Sequence, residues 1–279
     1  MADVVDERTG SRRTASSDRE LLVFLAAAFV ISWGVGLGGA IVLGPDMFLV
    51  GVFGPAIAAV WATRHYEGTA RSLWTQMLHW RLPWRWYVLV LVLPLALMAL
   101  MALAYGLVSA LGGLWEVDEA LSLPAAAVFL AFAFFVAGGP EEPGWRGYAL
   151  PRLQSRWDAL TASVVLGAIW ALWHAPLWFM SELPFQDLNY PLYTLQILAM
   201  CVIYTWIYNI TGGSVLLAMI LHASTNLANW YLAFSVGAQA VLGGLWVAAA
   251  VTVVLRFGRV DLSHDRRVDR NQVVAAGRG

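Results

Sequence analysis

The sequence predicts an all-α fold, a polytopic bundle of about eight transmembrane helices. Hydrophobic residues make up 60% of the chain and charged residues 13%, about half the charged fraction of an average soluble domain. Uncharged stretches recur that reach the ~20 residues needed to cross the hydrocarbon core of a bilayer. A formal net charge of −1 provides no excess of basic groups for nucleic acid. We therefore expect a membrane protein whose partner is the lipid bilayer, with no nucleic-acid partner.

Six uncharged runs place the predicted helices along the chain. They are residues 21–45, 47–63, 86–115, 120–140, 159–181 and 188–255. Because a span needs ~20 residues, the last run holds three spans. Glycine-rich breaks near 211–213 and at 237 provide the turns between them. The second run is the shortest, and a Gly-Pro pair at 54–55 interrupts it.

The distribution of arginine predicts the orientation of the bundle. All 17 basic residues are Arg. With eight spans and the N-terminus inside, the inner segments 1–20, 64–85, 140–158 and 256–279 hold four, four, three and six of them. The predicted outer loops hold none, and cytoplasmic loops are the ones enriched in Lys and Arg. We therefore expect a multi-pass protein of the cell membrane with both termini in the cytoplasm.

Three regions follow from the same patterns. Residues 1–20 are polar and predicted to be a disordered cytoplasmic N-terminus, residues 21–256 form the transmembrane domain, and residues 257–279 form a polar cytoplasmic tail. The one cysteine of the chain, Cys201, lies in a predicted span. It excludes an intrachain disulfide and a thiolate metal cluster, and we expect it to pack as a small hydrophobic residue.

Two adjacent glutamates follow the fourth uncharged run, in the stretch Gly-Gly-Pro-Glu-Glu-Pro-Gly-Trp-Arg-Gly-Tyr at 138–148. On a helix, Glu142 and Arg146 are four residues apart and can pair on one face. Glu141 is turned about 100° away, and its i+4 neighbour is Trp145. The spacing predicts that Glu142 is engaged structurally and Glu141 is free for chemistry. The alternative is a salt bridge at the membrane edge that serves topology alone.

Two histidines lie inside predicted spans, where an ionisable side chain usually marks a functional site. His174 lies in the fifth run, and His222 shares one helix face with Asn226, four residues later. The structural alternatives are a hydrogen-bonded core histidine and a polar pair that joins helices. Counted from the inner membrane edge along ideal helices, His174 and His222 differ in depth by ~10 Å.

The order Glu-Glu-x-x-x-Arg, Trp-x-x-x-His, His-x-x-x-Asn over separate helices resembles the CPBP family, the CAAX prenyl endopeptidases and bacteriocin-processing (Abi) proteins. The matching residues are Glu141, Glu142, Arg146, His174, His222 and Asn226. The resemblance covers about residues 120–231. One position departs from the family pattern, since Trp170 stands where the second motif usually has Phe, and this exchanges one aromatic residue for another.

The resemblance implies an intramembrane endopeptidase, with residues 21–256 as a transmembrane protease domain. Its partners would be the bilayer and a peptide or protein substrate, with or without a lipid group. The Glu142–Arg146 pair would orient the first motif. Two alternatives stay open. One is a transporter in which the ionisable groups relay protons, and the other is an inactive member acting as an immunity or scaffold protein.

The resemblance also assigns roles to the remaining motif residues. Glu141 would activate water as the general base and His174 would help to hold that water. His222 and Asn226 would stabilise the oxyanion. No cofactor is needed in this mechanism. The alternative is a zinc site formed by Glu141, His174 and His222 with water as the fourth ligand. The absence of a Gly-x-Ser-x-Gly stretch argues against a serine protease.

Overall fold

A computed structural model describes residues 18–44, 47–110, 122–180, 185, 188–230 and 236–277. Within these ranges the secondary structure consists of helices and turns, without a strand. The predicted all-α fold is therefore confirmed. The reason is composition, because apolar runs of this length satisfy their backbone hydrogen bonds inside a bilayer only as helices.

The structure divides the chain into eleven helices within its described residues. They are α1 Asp18–Leu43, α2 Phe48–Gly51, α3 Gly54–Glu67, α4 Arg71–Met77, α5 Trp84–Ala110, α6 Leu123–Gln154, α7 Ala159–His174, α8 Tyr190–Ile210, α9 Val215–Trp230, α10 Val236–Phe257 and α11 Arg270–Ala276. A 3-10 turn, Ala175–Phe179, extends α7.

The predicted count of eight spans is not confirmed. Six of the described helices, α1, α5, α6, extended α7, α8 and α10, are long and apolar enough to cross a membrane. The other two predicted spans correspond to α3, with 14 residues, and α9, with 16 residues. At 1.5 Å per residue, α9 is about 24 Å long, whereas the hydrocarbon core is ~30 Å thick. The chain is nevertheless a multi-pass membrane protein.

Helix α6 differs from the prediction, which ended the span near residue 140 and placed residues 140–158 in an inner loop. In the structure the helical segment continues to Gln154, and residues 138–154 are all buried. The segment bends at Gly138, where φ is 111°. A Cβ atom there would lie 2.6 Å from the ring of His222, so only glycine fits this bend. The two glutamates therefore lie inside the bundle.

The polar tail folds back onto the end of the bundle where α6 ends at Gln154. The Arg267 guanidinium donates from Nε to the carbonyl oxygen of Gln154 at 2.9 Å, and the Val268 N–H donates to Asn209 Oδ1 at 3.2 Å. Helix α11 begins with a capping box formed by Asp269 and Gln272, and it packs on α4. The tail is thus a structural part of the bundle.

A buried charge cluster joins the tail to the first helix. Both oxygens of Glu20 accept hydrogen bonds from Arg270, at 2.8 and 2.9 Å, and Arg152 lies 3.1 Å from Glu20 and 3.0 Å from Glu67. A buried guanidinium must be paired, and Glu20 is the residue of α1 that pairs with Arg152. Helix α1 begins at Asp18. Residues 18–20 are therefore helical, not disordered as predicted, and residues 1–17 lie outside the described ranges.

The membrane crossing of α9 can be tested with reporters of sidedness. If α3 and α9 both cross, three spans precede Asp118 and five follow it, so fusions at Asp118 and at the C-terminus report opposite sides. If only the six long helices cross, two precede Asp118 and four follow it. The two fusions then report the same side. From the arginine distribution we expect opposite sides, with the C-terminus in the cytoplasm.

Candidate active site

A cavity of about 340 Å³ lies beside the bend in α6. Its walls are mainly apolar and come from α6, α7, α8, α9 and α10, among other segments. The predicted catalytic residues all line it: Glu141, His174, His222 and Asn226. Its volume lies at the lower end of the range of ligand pockets in proteins, and a few convergent polar groups in an apolar cavity are their usual composition.

Glu141 lines this cavity and forms no ion pair within 4 Å among the described residues. One carboxylate oxygen, Oε2, accepts a hydrogen bond from the Trp170 indole at 2.7 Å and a longer one from the Trp145 indole at 3.3 Å. The residue is only 4% exposed. An indole N–H is a neutral donor that cannot accept a proton. The two indoles therefore fix the carboxylate without neutralising its charge.

Glu142 is engaged on a different side of the helix from Glu141, as the helical spacing of about 100° per residue predicts. The Arg146 Nη1 atom lies 3.0 Å from each of its oxygens, and both side chains are fully buried. The same carboxylate also accepts a hydrogen bond from His222 Nδ1 at 2.6 Å. This second bond was not predicted. It joins α6 to α9, because Glu142 and His222 are 80 residues apart in the chain.

The Arg146 guanidinium is enclosed by soft and aromatic groups. It lies 4.5 Å from the ring centre of Trp170 and 4.3 Å from that of Tyr204, which are cation–π distances. Its Nη2 atom contacts the sulfur of Cys201 at 3.2 Å. Cys201 is buried, in agreement with the structural role predicted for it, and it also serves as a polarisable neighbour of the cation.

The two histidines line the cavity, and each is bound through its Nδ1 atom. His174 Nδ1 lies 2.8 Å from the carbonyl oxygen of Trp170, and a carbonyl only accepts, so Nδ1 carries the proton and Nε2 is a free acceptor. His222 is bound through Nδ1 to Glu142, and its Nε2 lies against the α6 bend. Both rings pack on Trp170, at 5.6 and 5.3 Å. One indole therefore contacts both imidazole rings.

Asn226 lies one turn after His222 and also meets the bend in α6. Its Nδ2 atom donates to the carbonyl oxygen of Ala137 at 2.8 Å, and it would lie 2.6 Å from a Cβ atom at Gly138. The amide carries two hydrogens, so one remains beyond the bond to Ala137. The predicted shared face of His222 and Asn226 is thus directed at the segment that carries Glu141.

Trp170 is the residue whose importance the sequence did not indicate. It was treated as a simple replacement for phenylalanine, yet its N–H binds Glu141, its ring contacts Arg146, and its carbonyl oxygen holds His174. The available signal was chemical, because indole has a donor that a phenyl ring lacks. Its target could not be read locally, since Glu141 is 29 residues away.

The alternative zinc site would need Glu141, His174 and His222 to converge on one ion. In the described ranges no three His, Cys, Asp or Glu side chains are grouped so that they could hold a metal ion. We therefore derive no step that uses zinc.

Fold and cavity define a polytopic helical membrane protein with a carboxylate, two imidazoles and an amide around one buried cavity. Residues 123–228 match the family described as type II CAAX prenyl endopeptidase Rce1-like. The chain is also 36% identical over 130 residues to "CAAX prenyl protease 2" of Methanococcus maripaludis. The aligned region covers 44% of this chain and 48% of that protein. The aligned region thus spans about half the length of that relative.

The predicted family resemblance is therefore confirmed, and residues 123–228 are similar to the CAAX prenyl endopeptidase family. The matched segment contains all six motif residues, which are Glu141, Glu142, Arg146, His174, His222 and Asn226.

The buried pair predicts a large difference between two charge-removing substitutions. Glu142→Gln should lower the free energy of unfolding by about 3–5 kcal/mol, because it leaves the Arg146 cation buried without its counter-ion. Arg156→Gln is the matched control, since its pair with Asp18 is exposed, at 53% and 41%, and such pairs contribute under about 1 kcal/mol. Thermal unfolding in detergent measures both. Equal losses would contradict a stabilising role for the buried pair.

Proposed function

We propose that the protein is an intramembrane endopeptidase that hydrolyses a peptide bond with water activated by Glu141. One observation carries the proposal. Of two adjacent carboxylates, Glu142 is engaged with Arg146 and His222, whereas Glu141 lines the cavity with only neutral indole donors on it. A general base needs such a carboxylate, ionised, oriented and within reach of substrate.

The proposed reaction begins with a water molecule between Glu141 and His174. Glu141 takes one proton from the water, and His174 accepts a hydrogen bond from it at Nε2. The water oxygen then bonds to the carbonyl carbon of the scissile peptide. When the carbon–nitrogen bond breaks, Glu141 returns the proton to the leaving amine, so the base is regenerated.

His222 and Asn226 are proposed as the donors to the oxyanion. Asn226 has a second amide hydrogen beyond the one bound by Ala137. His222 donates from Nε2 in its imidazolium form, in which both nitrogens carry hydrogens and Glu142 is the counter-ion. Donors that are fixed before the reaction, as these are by α6, are the ones that stabilise developing charge most effectively.

The substrate is proposed to be a peptide or protein segment that enters the cavity from the bilayer. The cavity walls are largely apolar, so an apolar segment, or one carrying a lipid group, is favoured there. The name of the Methanococcus maripaludis relative, CAAX prenyl protease 2, makes a peptide with an S-prenylated C-terminal cysteine the first substrate class to test. The membrane is proposed to be the cell membrane.

The role of Glu141 is tested by Glu141→Gln in full-length protein in phospholipid vesicles. The assay uses a library of quenched fluorescent apolar decapeptides, each with a free or S-prenylated C-terminal cysteine. Because the amide cannot accept the proton, we expect turnover to fall by ~10²–10⁴-fold or more, with unchanged insertion and thermal unfolding. His79→Ala is the control, since His79 lies outside the cavity and should leave turnover unchanged.

Glu142→Gln distinguishes the two carboxylates in the same assay. It should retain measurable turnover in the fraction that is folded, since Glu142 is assigned to position Arg146 and His222. A well-folded but inactive Glu142→Gln together with an active Glu141→Gln would mean that the two roles are reversed. Full activity in both variants would place the reaction elsewhere.

Metal dependence is tested by exhaustive chelation of the purified active protein. We expect unchanged turnover and less than one zinc per chain by elemental analysis, because Glu141 acts as base and not as ligand. One tightly bound zinc per chain, with activity lost on its removal and restored on its return, would contradict the metal-free mechanism.

A further inference from the structure

A glutamine lines the candidate active-site cavity with almost no hydrogen bonding of its own. Gln196 is 8% exposed and lies on the face of α8 that also presents Tyr193, Ile197 and Met200 to the cavity. In the part of the chain that the structure describes, its one hydrogen-bond partner is the sulfur of Met200, at 3.7 Å from Nε2. A thioether sulfur is a weak acceptor, so most of the hydrogen-bonding capacity of this amide is unused.

Three other buried amides among the described residues, Gln76, Gln154 and Asn209, form more hydrogen bonds than Gln196. Gln154 and Asn209 exchange two hydrogen bonds of 3.0 and 2.7 Å, and each also binds a backbone carbonyl oxygen at 2.8 Å. Gln76 donates to two carbonyl oxygens and accepts from Tyr208. A buried polar group without a partner costs about 1–3 kcal/mol. Because Gln196 lines the cavity, a ligand in the cavity can supply the hydrogen bonds that the described residues do not.

The chemistry of a carboxamide limits what that ligand can be. Its Nε2 donates and its Oε1 accepts, side by side, which matches the N–H and C=O of a peptide group. A hydrocarbon chain offers neither atom and would leave Gln196 unsatisfied. When a peptide backbone enters an apolar cavity, its N–H and C=O groups lose their water and require new hydrogen-bond partners. Asn229, also in the cavity wall, is a second carboxamide of the same kind.

We propose that Gln196 binds the backbone of an extended substrate peptide in the cavity, which makes it a substrate-binding residue of the candidate peptidase. Nε2–H donates to a substrate carbonyl oxygen, and Oε1 accepts from a substrate N–H. The cavity thus selects an unfolded peptide segment, because a helical segment has its backbone groups paired internally. This inference rests on the proposed function for the catalytic reaction and on the geometry of Gln196 for the binding.

The test compares Gln196→Leu with a matched control on the same helix. Gln196→Leu keeps the size of the side chain and removes both hydrogen-bonding atoms. With the decapeptide library of the Glu141 assay, we expect KM to rise about 10-fold and kcat to stay unchanged. Thr205→Val removes a different buried polar group of α8, a hydroxyl that lies outside the cavity lining, and its KM should equal that of the unmodified protein.

A series of ester-for-amide peptides identifies the contact directly. Each peptide replaces one backbone N–H by oxygen, and one position should raise KM for the unmodified protein. For Gln196→Leu the ester at that position should have no further effect, because the partner is already gone. Esters that act equally on both proteins, or a Gln196→Leu variant with lowered kcat and unchanged KM, would overturn the proposal.

Binding without cleavage separates this proposal from the proposed reaction. Fluorescein-labelled peptides of the same library are titrated against the Glu141→Gln protein, and against the Glu141→Gln, Gln196→Leu double variant, by fluorescence anisotropy. We expect Kd to rise about 10-fold in the double variant. A chain that binds these peptides through Gln196 but cleaves none of them retains this inference and loses the proposed function. Equal Kd values, or no binding, would refute the inference.

Discussion

The interaction on which the site depends is the bond of the buried Glu142 carboxylate to both Arg146 and His222. Two charges inside a helix bundle are expensive to desolvate, and they persist only when their remaining atoms are accommodated. The rings of Trp170 and Tyr204 enclose the guanidinium for this reason. Four helices, α6, α7, α8 and α9, are therefore held at one point, and the cavity lies beside it.

This arrangement gives two adjacent glutamates different environments. Successive residues of a helix differ by about 100° in direction, so Glu142 enters the charge cluster while Glu141 turns to the cavity. Trp170 links the two, since its ring contacts Arg146 and its N–H binds Glu141. A substitution of Trp170 would affect Glu141 directly, through the lost indole hydrogen bond. It would affect Glu142 indirectly, through the lost ring contact with Arg146.

The backbone of α6 makes this geometry accessible. Gly138 has no Cβ atom at the point where His222 and Asn226 approach α6. The segment after this bend is helical and buried. The C-terminal end of the same helix is held by Arg152, through the cluster with Glu20 and Glu67. The segment 138–154 of α6, which carries both glutamates, is therefore held at both of its ends. This preserves the orientation of the catalytic groups.

The sequence by itself determined the helical fold, the membrane class, and the pairs that lie four residues apart, such as Glu142 with Arg146. These features follow from composition and helical period, which act locally. Only the tertiary structure decided that Trp170 binds Glu141 and that Glu142 binds His222, over 29 and 80 residues. It also decided that α6 extends to Gln154, because burial against neighbouring helices stabilises a segment whose charges and prolines suggest a loop.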